Sequence, residues 1–173
     1  MGEPRSAGFA PVAGPAISTL ILGSLPSRRS IAAGQYYGHP RNAFWPIMGE
    51  LFDAGPDRPY PERTARLVAA GVGLWDVLAS SVRPGSMDSA IEIGSATPND
   101  FDAFLRGHPG VRRIFFNGRK AAELFARMRC LESRAGTIEY ATLPSTSPAF
   151  AAMPFDEKLA QWSVVIPTSD AVR

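Results

Sequence analysis

Ser18-Thr19-Leu20-Ile21-Leu22, running straight into Gly23-Ser24-Leu25-Pro26-Ser27, is the stretch that decides the fold of this chain. An apolar run of this length, stopped by a Gly/Pro-rich segment, predicts a strand buried on both faces that ends in a loop. Three later segments share its shape: Val72-Gly73-Leu74-Trp75-Asp76-Val77, Arg113-Ile114-Phe115-Phe116-Asn117 and Thr137 through Leu143. Helical spacing fills the intervals. Phe44, Ile47, Met48 and Leu51 recur at three and four residues within Ala43 to Phe52. Pro61 to Ala70 opens on Pro and stops at Gly71, the usual asymmetry of helix ends. Thr97-Pro98 reads as a cap opening a helix with Phe101, Phe104 and Leu105 on one face. Gly118 to Met128 and Phe155 to Val165 complete the set. Strands alternating with helices predict an α/β, three-layer sandwich: a central four-stranded parallel sheet flanked by helices.

The 173 residues favour one domain, expected over 16–166, between a loose tail at 1–15 rich in Gly, Pro and Ala and a second tail at 167–173. Apolar residues are 45% and charged residues 20%, an ordinary globular mixture that argues against wholesale disorder. No apolar stretch approaches the ~20 residues that span a bilayer, and no signal-peptide core is present, so a monomer in the cytoplasm is expected. Cys130 is the single cysteine, which excludes a disulfide framework, a multi-cysteine zinc site and a cluster held by four of the chain's own thiolates. No metal and no cofactor are expected. Net charge is only +2, yet the lysines are just Lys120 and Lys158 among 18 basic residues. Arginine's planar fork suits phosphate, although a GC-rich genome would write the same bias.

In such folds function collects outside the carboxyl ends of the strands. Those ends are Gly23 to Ser27, Asp76, Asn117-Gly118 and Leu143 to Pro148, all polar or rich in Gly and Pro. Their convergence on one edge is the strongest inference the residues yield unaided.

The residues at that edge also carry a resemblance. Gly23-Ser-Leu-Pro-Ser27, continuing through Gly34-Gln-Tyr-Tyr-Gly-His-Pro-Arg-Asn-Ala-Phe-Trp45, resembles the first motif of the uracil-DNA glycosylase superfamily, and most of all its hypoxanthine (deoxyinosine) branch. Gly73 to Asp76, Phe116 to Gly118 and Leu143 to Ala149 also resemble that branch, over roughly Ser18 to Val165. The resemblance implies a monofunctional DNA glycosylase of base excision repair, acting after base flipping on DNA that contains deaminated bases, and nucleoid-associated through that DNA. Leu25 is a departure: mismatch-specific relatives place a water-positioning Asn there, whereas in the hypoxanthine branch an Asn farther along is regarded as catalytic, and Asn42 matches it.

The chemistry asks for a flipped nucleotide, an oriented water and donors for the departing base. Tyr37 matches the family's stacking aromatic, with Tyr36 in reserve, and Phe44 and Ser24 are further base-binding candidates. Asn42 is the candidate that holds the water, or else caps the helix that follows it. Hypoxanthine and uracil present a ring N–H beside a C=O, and an Asn amide held in one orientation complements both; Asn117 is that candidate, or else a turn residue. Ser145 and Ser147, between prolines, together with Arg28, Arg29 and Arg41, suit DNA phosphates. Phe150 is placed to wedge into a base stack or to pack on the last helix. Arg112, Arg113, Arg119 and Lys120 read as a solvated face diluted by Glu123 and Glu132. His39 would stabilise the leaving base or hold the loop, and Asp76 would orient a loop or position water. With no lysine nucleophile near the motifs, lyase activity is not expected. Two alternatives stay open: a catalytically weak or inactive member of the fold that binds damaged or single-stranded DNA, for which Leu25 speaks, and an enzyme of free nucleosides, which would need neither the Arg rim nor the serine loop.

Overall fold

A computed structural model describes residue 2, residues 4–131 and residues 137–168. Four parallel strands form the central sheet in the order β3-β2-β6-β7: β2 is Thr19–Gly23, β3 Val72–Asp76, β6 Arg113–Asn117 and β7 Glu139–Leu143. Every residue of β2 and β3 is buried, as an uninterrupted apolar run demands when helices cover both faces. The edge strand β7 is exposed except at Leu143 and begins two residues later than its sequence suggests.

Alternation along the strands divides the core in two. Leu20, Leu22, Trp75, Ile114 and Phe116 face α4 (Phe101–Gly107) and α5 (Arg119–Arg127). Ile21, Leu74, Phe115 and Leu143 face the other way, onto α2 (Phe44–Phe52), α3 (Tyr60–Ala69) and α6 (Phe155–Trp162). Trp45, Trp75 and Trp162 are all core residues. Arg113, far from making a solvated face, ties down the last described turn by donating to the carbonyls of Val164, Val165 and Ile166.

Several elements depart from the sequence expectation. A second, antiparallel sheet pairs β1 (Arg5–Ala7) with β4 (Leu78–Val82) and β4 with β5 (Thr97–Pro98). The stretch expected as a loose N-terminal tail therefore supplies a strand. It also bridges Val12 to Leu74, and it gives backbone carbonyls to Trp75 Nε1 (Phe9 O, 3.2 Å) and to the Tyr36 hydroxyl (Ala10 O, 2.9 Å). Thr97-Pro98 is strand rather than helix cap; Asp100 caps α4 by accepting from the Ala103 N–H at 2.9 Å. A short helix, α1 (Arg28–Ala33), follows the first loop, capped by Ser27 and stopped by Gly34 at φ 64°. The expected tail at 167–173 lies mostly outside the described residues, as does Glu132. No helix among the described residues is long and apolar enough to cross a membrane.

Deleting Gly2 to Ala10 is expected to lower the melting temperature by about 4–8 °C, since it removes the β1 ladder and strands two buried donors, a loss of about 2 kcal/mol or more. Thermal melting that matches the full chain would return these residues to the status of a tail.

Candidate active site

The carboxyl ends of the parallel strands open onto a cavity of about 290 Å³, at the small end for ligand pockets. Its wall is discontinuous in sequence: Ser24 to Ser27, Tyr37, Asn42, Asp76, Asn117 and Ser145 to Ser147 all reach it. So does a segment the sequence reading passed over, Ser86 to Ser89.

Tyr37 adopts φ 55°, a left-handed conformation that is costly for an aromatic residue. What holds it there is packing: its ring stacks on Phe44, with centroids 4.0 Å apart and planes at 27°. Phe44 is fully buried and does not line the cavity, so direct base contact is not open to it; it backs the Tyr37 ring. Tyr36 is structural in its bonds. Its hydroxyl donates to Ala10 O and its carbonyl accepts from Trp45 Nε1 at 2.8 Å. Asn42 precedes α2 and its Oδ1 accepts from the Phe44 N–H at 2.9 Å, which fixes the amide at the cavity wall. The N-cap position itself is Ala43, without a side-chain cap, so Asn42 stands one residue outside the cap expected of it, and its Oδ1 keeps a second lone pair at the cavity.

Asn117 sits at the end of β6 in a two-point clasp. Its Oδ1 accepts from the Thr146 N–H at 3.0 Å and its Nδ2 donates to Thr146 Oγ1 at 2.9 Å. Because a backbone N–H can only donate, this clasp fixes which end of the amide is which. The same Thr146 accepts at its carbonyl from the Ala43 N–H, and Pro144 O accepts from Trp162 Nε1 at 2.9 Å, so the loop after β7 is pinned to β6, α2 and α6. Gly118, at φ 91°, lets the loop approach: a Cβ there would stand 3.1 Å from Ser145 Cβ. Ser145 and Ser147 each accept from an N–H two residues on, and both reach the cavity.

Asp76 ends β3, 4% exposed, and its Oδ2 is buried with no hydrogen-bond partner among the described residues. The loop-orienting bonds expected of it are not made by that oxygen. Burial first, then the charge of Asp88, push its carboxyl from the ordinary 3.8 up to about 7, against an opposing pull from Arg83. The Tyr37 hydroxyl is also buried, and burial and then the charge of Asp76 hold it well above its usual range, against an opposing pull from the Asn117 side chain. Gly23 makes room for both groups, since a Cβ there would lie 2.5 Å from Asp76 Oδ1 and 3.1 Å from Tyr37 Oη.

Arg83 is the residue that sequence reasoning missed. It is 1% exposed, donates to the carbonyls of Leu25 (3.2 Å) and Pro26, and lies 3.8 Å from Asp88 Oδ1. Ser24, a base-binding candidate, instead donates its hydroxyl to Asp88 at 2.6 Å, and Ser86 Oγ accepts from the Arg28 N–H at 3.1 Å. These bonds staple the Ser86–Ser89 segment to the first loop. The only signal in the sequence was Arg before Pro84-Gly85, a common turn. Leu25 packs into the core, Arg29 and Arg41 are exposed outside the cavity wall, and His39 accepts from the Arg41 N–H through Nδ1 at 3.0 Å. Burial and the two neighbouring arginines, Arg29 and Arg41, hold the His39 imidazole below its usual value. Phe150, 39% exposed, stands at the cavity wall, while Lys158 donates to its carbonyl at 2.6 Å and lies over its ring at 5.0 Å.

The raised Asp76 carboxyl binds a proton in the folded chain over a pH range in which the unfolded chain has lost it. Stability therefore falls as pH rises from about 4 to about 7 and levels off above. Asp76→Asn should melt higher than wild type at pH 8, and the gap should close by pH 4. A gap independent of pH would show that the carboxyl is not the source of the cost.

Comparison with known proteins agrees with this geometry. The family model of the uracil DNA glycosylase superfamily matches residues 11–165. A hypoxanthine DNA glycosylase of Methanosarcina acetivorans is 40% identical over 143 residues, covering 82% of this chain and 86% of the relative. Its counterpart in Methanosarcina barkeri is 35% identical over 130 residues, 73% of this chain and 80% of the relative. A solution NMR structure of a candidate uracil DNA glycosylase from M. acetivorans superposes with a TM-score of 0.74 at 35% identity, over 94% of this chain and 99% of that one. With a four-stranded parallel sheet, a cavity at its carboxyl edge and relatives matched over most of their length, this chain belongs to the uracil DNA glycosylase superfamily.

Proposed function

We propose that this protein is a monofunctional DNA glycosylase that hydrolyses the N-glycosidic bond of deaminated bases, hypoxanthine in deoxyinosine first and uracil second. The observation that carries the reading is the small cavity, backed by the stacked Tyr37–Phe44 pair, on which all four motif segments converge; the names of the two archaeal relatives point to the same chemistry. The nucleotide is extruded at a cost of a few kcal/mol, and the Tyr37 face, braced by Phe44, recovers about 1–3 kcal/mol by stacking. The C1′–N bond then breaks with its electron pair leaving on the base. Water adds to C1′ and gives up a proton, and the base departs protonated. Asn42 orients that water through the lone pair of Oδ1 that Phe44 does not use. Ser145, Ser147, Arg28, Arg29 and Arg41 hold phosphates around the mouth, and Phe150 enters the gap in the stack.

Incubation with duplexes carrying deoxyinosine, deoxyuridine or deoxyxanthosine, followed by alkali, should cut the deoxyinosine strand fastest. Binding without any abasic site would identify the DNA-binding alternative for which buried, apolar Leu25 speaks.

Asn42→Ala should slow single-turnover excision by about 10²-fold or more, some 3 kcal/mol of transition-state stabilisation, with duplex affinity retained. A rate within about threefold of wild type would leave Asn42 only its bond to the Phe44 N–H.

Tyr37→Phe should excise normally, because the π-face that stacks on the base remains. Tyr37→Ala should lose about 1–3 kcal/mol on substrates whose base must be held outside the duplex. Wild-type excision and melting by Tyr37→Ala would move the stacking surface elsewhere.

A further inference from the structure

Two residues of α6 are buried, Lys158 and Trp162, on the same face of the helix. Tryptophan belongs in a core, whereas a lysine this far from water, 5% exposed, needs something to receive its charge. Among the described residues no carboxylate does so. What meets the ammonium is Phe150, twice: Nζ donates to the Phe150 carbonyl at 2.6 Å and lies 5.0 Å from the centre of its ring. A cation over an aromatic face is attracted by the ring quadrupole, and the attraction is stronger when the cation is desolvated. One buried side chain thus holds a single residue by its main chain and by its ring.

Phe150 is where such a hold has an effect. The stem of the loop after β7 is fixed by Thr146 and Pro144, but its tip makes local bonds: the Phe150 N–H donates to Ser147 O at 3.0 Å and the Ala149 N–H to Ser147 Oγ at 3.2 Å. Among the described residues, the bond from Lys158 is the one hydrogen bond that ties the stretch from Pro148 to Phe150 to another element. The Phe150 ring is 39% exposed and stands at the cavity wall. The helix that carries Lys158 also donates from Trp162 Nε1 to Pro144 O at 2.9 Å, so stem and tip are braced from one helix.

Resting on the reading of this protein as a glycosylase whose Phe150 enters the base stack, we propose that Lys158 is the positioning residue of that wedge, its buried ammonium presetting the Phe150 ring by carbonyl and by face. Lys158 touches neither the extruded base nor the reacting carbon; it acts through Phe150. A loop tip ordered only on contact with DNA loses conformational freedom at that moment, which a braced tip has already given up. The brace matters where a stack must be opened and kept open. In single-stranded DNA no paired strand draws the nucleotide back, and the base reaches the cavity without a wedge. A lysine that served instead as a phosphate contact would assist duplex and single strand alike.

The test is single-turnover excision of hypoxanthine from a deoxyinosine duplex and from the same strand alone. Lys158→Met keeps the unbranched stem and removes the charge; duplex excision should fall about tenfold while single-strand excision stays within about twofold of wild type. Lys158→Arg, which keeps a cation and a donor, should return the duplex rate to within about threefold of wild type. Added to Phe150→Ala, itself slow on the duplex, Lys158→Met should cost less than about twofold more, because the two residues act as one. This last comparison needs the duplex alone and decides the matter if the single strand is no substrate; if melting shows Lys158→Met unfolded, Lys158→Gln takes its place. Duplex excision unchanged by Lys158→Met, equal losses on both substrates, or a full further loss on Phe150→Ala overturns the assignment of Lys158. Phe150→Ala with wild-type duplex excision removes the wedge and this inference while leaving the glycosylase. A wild-type protein that releases no base from either substrate overturns the reading of the cavity itself.

Discussion

β2 is hydrogen-bonded to a strand on each side and buried on both faces along its whole length, so its backbone has no freedom that does not disturb two ladders and two apolar layers at once. The pairing does not stop where the strand does: the Val77 N–H donates to Gly23 O and the Leu78 N–H to Ser24 O, which carries the constraint into the first loop. Everything that lines the cavity is measured from this fixed line. Asp76 and Asn117 stand on either side of it, and the Tyr37 hydroxyl reaches across Gly23, the one position where the strand has no side chain.

The loops are held as firmly as the strands, by different means. The loop after β7 is fastened through Thr146 and Pro144 to three separate elements. The first loop is fastened from the second sheet, where the buried Arg83 guanidinium meets two of its carbonyls. A cavity walled this way is assembled before any ligand arrives, and pre-assembly is what allows binding free energy to go into nucleotide extrusion and bond cleavage rather than into ordering the protein.

The legibility of these features in the sequence follows from how local each cause is. The parallel strands are legible because burial on both faces forces an unbroken apolar run, as in Leu20-Ile21-Leu22 and Ile114-Phe115-Phe116. β4 is not, because Ala79, Ser80 and Ser81 carry little alternation, and α1 has only six residues in which to show a period. The Thr97-Pro98 cap misleads because Asp100, three residues on, offers the same chemistry with better placement. At the site, Tyr37, Asn42 and Asn117 stand in recognisable motifs and do meet at one cavity. The state of their polar atoms is not legible: the Thr146 clasp, the unpartnered Asp76 oxygen and the Arg83 staple all arise between segments 29 to 58 residues apart or more.

The N-terminal strand has a practical side. β1 is one of the two outer strands of the second sheet, and Arg5 is paired with Val82, the residue just before Arg83. One wall of the cavity thus hangs from a sheet whose rim is the Arg5–Ala7 strand, so a variant made on that strand bears on the cavity wall without touching it.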